Sequence, residues 1–140
     1  MPQAIVTCVL ALGVSGLLSA ANQTTGPRTP PLVIESMYGP DLFRMYCASC
    51  HGRDGRGGGP VASALKVPPP DLTVLSRGQK GVFPAFAVET IITGSATAGP
   101  HGSDEMPVWG LIFRALDSSD TRAKARIKNL VSYIESIQQK

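Results

Sequence analysis

Apolar positions along the chain fall into one nearly continuous block at the N-terminus and then into short helical patterns separated by Gly- and Pro-rich stretches. Ala4 to Leu18 is almost unbroken apolar sequence, and no charged side chain occurs from Met1 to Ala21. Ending in Ser19-Ala20-Ala21, this block predicts an export signal over residues 1–21, cleaved after Ala21 and taking Cys8 with it. Retention as a membrane anchor is the alternative, because the uncharged run is just long enough to span; Gly13, Ser15, Gly16 and Ser19 make it a poor spanning helix. A Pro- and Thr-rich lead completes a flexible segment over 22–34, and a single domain is expected over 35–140.

Within that domain the pattern predicts a helix from near Gly39 to Cys50, with Pro40 suited to its first turn and Leu42, Phe43, Met45 and Tyr46 as its apolar residues. Residues 52–60, GRDGRGGGP, exclude any regular element, and one short helical turn fits Val61 to Lys66 before Pro68-Pro69-Pro70. Val88, Ile91 and Ile92 recur at helical spacing between Pro84 and Thr93, with Gly94 as terminator. Residues 95–110 read as a second long loop. The clearest helix is the last, about Asp120 to Gln138, where Ile127, Leu130, Val131, Ile134 and Ile137 form one stripe and Arg122, Lys124, Arg126 and Lys128 are assigned to the opposite face. No segment alternates like a strand, so the fold class is all-α, with three to five short helices.

Composition sharpens this picture in two ways. Only eight of 140 residues are aromatic (four Phe, three Tyr, one Trp), so two long loops would surround a thin core unless something other than side chains fills it. A large rigid cofactor would do so. The net charge of +3 is small and dispersed, which excludes a nucleic-acid binder with a clustered basic face. Three cysteines cannot build a disulfide framework, so Cys47 and Cys50 are read as a motif.

That motif is Cys47-Ala48-Ser49-Cys50-His51, the C-x-x-C-H signature of c-type haem attachment. Two thiols separated by two residues reach the two vinyl groups of one porphyrin as thioethers, and the adjacent imidazole of His51 then lies beneath the iron as proximal ligand. A zinc site from Cys47, Cys50, His51 and His101 has the right ligand count, but neighbouring Cys50 and His51 do not easily face one tetrahedral ion. A thioredoxin-like redox pair lacks its βαβ context. For the sixth position the residues leave Met106, His101 and an open iron as choices.

On these residues the chain resembles the class I cytochrome c family over most of the sequence that follows the export segment. Gly39 and Phe43 match the family's glycine and aromatic ahead of the first haem cysteine, and Leu130 and Tyr133 match their partners on the C-terminal helix. The resemblance implies a fold of short helices and long Gly/Pro loops wrapped around one covalently bound haem. It also implies that Gly59-Pro60 supplies a Pro60 carbonyl to the Nδ1 proton of His51, that Met106 in Glu105-Met106-Pro107 is the sixth ligand, and that the Trp109 indole reaches a haem propionate. Arg53 and Arg56 would contribute a positive rim for docking. The implied function is single-electron transfer by a bacterial, periplasmic or otherwise exported protein that is not an enzyme. Its partners would be redox proteins, met transiently, with membrane contact only through a partner complex or a retained signal. The alternatives are a haem-bearing subunit of a respiratory oxidase or dehydrogenase, and an open-site haem sensor.

Overall fold

The computed structural model describes residues 34–95, 106–117 and 119–139, all within one compact unit over Pro31–Lys140. The N-terminal run read as an export signal, most of the lead and His101 lie outside the described residues. Those residues form five α-helices and three single 3-10 turns, at Ala62–Ala64, Leu72–Val74 and Arg77–Gln79, with no strand among them.

Helix α1 (Gly39–Tyr46) carries Pro40 in its first turn, where a missing N–H costs nothing, and buries Leu42, Phe43 and Tyr46. The single helix expected to reach Cys50 is interrupted at Cys47, whose φ of −115° departs from helical geometry, and resumes as the one-turn α2 (Ala48–His51). Helix α3 (Ala85–Thr93) begins after Pro84 and ends on left-handed Gly94 as expected, with Gly94 N donating to Ile91 O at 3.1 Å and Ser95 N to Thr90 O at 3.0 Å.

Helix α4 (Trp109–Leu116) falls across a stretch to which the pattern assigned no helix. Its signal is nevertheless present: Trp109, Ile112, Phe113 and Leu116 recur at i, i+3, i+4 and i+7. Helix α5 (Asp120–Ser136) is the hub, packing against α1, α3 and α4. At the α1/α5 crossing Leu42, Phe43 and Leu130 are fully buried, and the Phe43 and Tyr133 rings lie 5.1 Å apart.

One expectation for α5 is corrected. Arg126 is not on the solvent face: it is 1% exposed, while Asp117 accepts from its Nε at 2.7 Å and its Nη2 at 3.4 Å and Ser36 O accepts from its Nη1 at 3.1 Å. On a helix Arg126 falls on the stripe of Ala123, Ile127, Leu130, Val131 and Ile134, all of them buried. Its place in the period outweighs its charge because the charge finds partners there.

The loop after the triple proline is fastened to the end of α5. Gln138 Nε2 donates to Leu72 O at 2.6 Å, its Oε1 accepts from Ser76 N at 3.0 Å, and Gln139 N donates to Thr73 O at 2.7 Å.

Candidate functional site

Cys47 closes one helix and opens the next. Its N–H donates to Phe43 O at 2.9 Å, and its carbonyl accepts from Cys50 N at 3.2 Å and His51 N at 2.9 Å. One hydrogen-bonded turn therefore holds Cys47 and Cys50 at i and i+3, on the same side of the backbone. Both thiols are free. Burial, and then the neighbouring Cys50, pushes the Cys47 thiol up to about 12.

His51, the next residue, is 9% exposed, and its Nδ1 lies 3.4 Å from the carbonyl oxygen of Pro70. Burial holds the imidazole below its ordinary pKa, with the Pro70 carbonyl opposing that shift. Burial thus favours the neutral ring. With Nδ1–H turned to the carbonyl, Nε2 carries the lone pair, the tautomer a ligating imidazole needs.

The carbonyl facing His51 belongs to Pro70, not to Pro60. Residues 59–61 instead fold back on α2, with Gly59 N donating to Cys50 O at 3.0 Å and Val61 N to Ser49 O at 3.1 Å. These bonds satisfy carbonyls left open at the end of α2 and leave Pro60 exposed. Pro70 arrives because two loop segments lie against each other: Gly57 N donates to His51 O at 2.8 Å, and Leu72 N donates to Gly55 O at 2.7 Å. Gly57 has φ +87°, and a Cβ there would run into the Pro69 carbonyl. Only glycine lets the triple proline come this close.

Met106 is half-buried and packs against the core. Trp109, three residues on, stacks on Phe113 at 5.7 Å and meets the Tyr46 ring at 5.3 Å. Tyr46 precedes Cys47 directly. Arg53 and Arg56 are exposed, and Arg56 approaches Asp54 at 3.9 Å. Sequence reasoning missed Pro70 and the contact of Tyr46 with Trp109. Pro68-Pro69-Pro70 registered only as the end of a helical turn, and Tyr46 only as one apolar residue of α1.

The donor set fits a covalently held haem c: two free thiols one turn apart, followed at once by a buried imidazole whose Nδ1 faces a carbonyl. Among the described residues no group of three or more His, Cys, Asp and Glu is placed to hold a metal ion by itself.

Residues 36–138 match the family model described as Cytochrome c. Compared with curated proteins and with solved structures, the chain matches none.

Proposed function

The chain belongs to the cytochrome c family, and on that premise we propose that it is an exported carrier of single electrons, with His51 and Met106 as the axial ligands of one haem c held by Cys47 and Cys50. The family implies haem-based electron transfer, covalently attached haem c and redox proteins as partners. The observation that carries the proposal is the Cys47–His51 turn, in which two thiols and a buried imidazole stand in consecutive order with Nδ1 facing Pro70 O at 3.4 Å.

When bound, the haem supplies a one-electron couple at its iron. The chain sets the conditions for it. Cys47 and Cys50 would anchor the macrocycle, His51 would offer Nε2 with its ring oriented by Pro70, and the Met106 thioether, a soft neutral donor, would favour Fe(II) and raise the potential. Two protein ligands retained in both oxidation states would keep reorganisation small. Arg53, Arg56, Lys66, Arg77 and Lys80 all lie exposed between residues 52 and 80. Against Asp54 and Asp71 they give this segment an excess of positive charge, suited to brief docking of an acidic partner surface. The uncharged N-terminal run supports export.

Purified holoprotein tests the reading. The haem should stay with the polypeptide through acid-organic extraction, and the oxidised protein should be low-spin, show weak far-red absorption from sulfur-to-iron charge transfer and bind carbon monoxide poorly. Met106→Ala should lower the potential, make the iron at least partly high-spin and admit carbon monoxide, while His101→Ala should do none of this. Extractable haem would end the proposal. A wild type that binds carbon monoxide readily would make the protein an open-site haem protein, and an iron opened by His101→Ala instead would make it a bis-His cytochrome.

A further inference from the structure

Tyr46 leads directly into the cysteine turn and joins it to a second helix. It is the last residue of α1, adjacent to Cys47 and 8% exposed. Its ring packs onto α4: the centroid is 5.3 Å from Trp109 with the planes at 56°, and 5.0 Å from Phe113, edge-on at 75°. Trp109 and Phe113 stack on each other at 5.7 Å and 28°. Three rings from two helices therefore make a closed set, each touching the other two in geometries that aromatic quadrupoles favour. The Tyr46 hydroxyl also accepts from Ile34 N at 3.2 Å, which restrains the phenol from its far end.

Trp109 is the first residue of α4, and Met106 lies three residues upstream of it. Three residues of chain reach at most about 11 Å, so the start of α4 limits where the methionine side chain can be. That start is held on two sides. Gly110 rests on the end of α3, where an added Cβ would lie 2.7 Å from Thr93 O; Trp109 rests on Tyr46. The first contact fixes α4 to α3, and the second fixes it to the helix that leads into the cysteine turn.

We propose that Tyr46 is the positioning residue for the distal methionine: through Trp109 it ties the segment bearing Met106 to the turn bearing Cys47, Cys50 and His51. The proposal rests on the reading of Met106 as axial ligand. Its physical basis is effective concentration. A neutral thioether is a weak donor, and it holds its place against water and added ligands because the protein keeps it near. Loosening the start of α4 lowers that effective concentration. An external ligand competing for the same position then gains apparent affinity by the same factor.

Imidazole is the probe, titrated into the oxidised holoprotein and followed at the Soret band, with far-red absorption and melting temperature recorded alongside. Tyr46→Leu and Trp109→Leu should each raise the apparent imidazole affinity at least tenfold and weaken the far-red band. Tyr46→Phe keeps the ring and loses only the hydroxyl, and it should stay within twofold of wild type. Gln138→Ala, which loosens the 71–79 loop away from these rings, should lower the melting temperature and leave imidazole affinity unchanged. If Tyr46→Leu does not fold, the half-buried Trp109→Leu decides. Equal imidazole affinity in wild type and the leucine variants overturns the positioning role, as does a Gln138→Ala variant that rises as much as they do. A wild type with no far-red band, whose imidazole affinity Met106→Ala leaves unchanged, removes the ligation reading and this inference with it. That result differs from a failure of the positioning role alone, in which the band and the Met106→Ala response persist.

Discussion

Arg126 brings a guanidinium into the domain interior, and its tolerance there depends on one residue. Asp117 has only 6% of its side chain exposed, accepts from Arg126 Nε at 2.7 Å and also takes Arg122 Nε at 3.3 Å. The hydrogen bond from Arg126 comes first among the causes that hold its carboxyl below the ordinary value of 3.8. A carboxylate whose folded pKa is depressed contributes stability that is fully present above its unfolded value and is lost as pH falls through the folded one. Asp117→Asn should therefore destabilise the protein by about 3 to 5 kcal/mol at neutral pH, because it leaves a buried cation without its counter-charge. Its melting temperature should also fall less steeply than that of wild type below about pH 4. Asp41, Asp71 and Asp120 are lowered as well, so the difference between the two pH curves, not either curve alone, isolates Asp117. Parallel acid slopes would show that Asp117 carries no linked proton. At this scale the contiguous site residues were legible: Cys47, Cys50 and His51 stand together in sequence, and one turn keeps them together in space. Pro70 was not, because it reaches His51 across 19 positions through a fold-back that depends on Gly57 and on the bond from Leu72 N to Gly55 O.

Among the elements, the crossing of α1 over α5 is set by backbone proximity. A Cβ at Gly39 would lie 2.5 Å from Asn129 O and 2.8 Å from Tyr133 Cβ, while Asn129 Nδ2 donates to Met37 O at 2.7 Å and fixes the same approach from the other side. Backbone atoms cannot step aside as a flexible side chain can, so Gly39→Val should cost on the order of 1 to 3 kcal/mol by forcing the helices apart. Thermal unfolding reads this directly, and an unchanged melting temperature would mean that the crossing relaxes without loss. Helices with a strong period and a marked end were legible: α3 stops at Gly94, and α5 starts at Asp120. The pattern at Trp109 to Leu116 was equally periodic but only eight residues long and entered from a Gly- and Pro-rich segment, so local composition obscured it. The break at Cys47 has no sequence signal of its own, since Tyr46, Cys47 and Ala48 are all compatible with helix; it reflects tertiary demands on the cysteine turn.

Over the whole molecule, the loop between the haem-attachment motif and α3 is long and poor in core residues, and a chain of this size has little buried surface to spare for holding it. Polar ties supply part of what packing does not. Asp71 Oδ1 accepts from Thr73 N at 2.8 Å and closes the loop locally. Gln138 joins it to α5 by donating to Leu72 O and Ile134 O and accepting from Ser76 N, and Arg77 Nη2 donates to Gln139 Oε1 at 2.7 Å. Ser76 is 8% exposed, so removal of its acceptor strands a buried donor, at a cost of about 1 to 3 kcal/mol. Gln138→Ala should thus lower the melting temperature and selectively accelerate hydrogen exchange at Ser76 and Leu75, while amides in the middle of α5 keep their relative protection. Gln138→Glu offers the acceptor and withdraws the amide donor, so it should preserve the Ser76 bond and lose the bond to Leu72 O. If Gln138→Ala instead accelerates exchange uniformly across α1, α3 and α5, the glutamine acts on global stability and the loop is not held separately. A local effect would place the 71–79 segment among the first parts to open, with its ties to Gln138 and Gln139 the first to break.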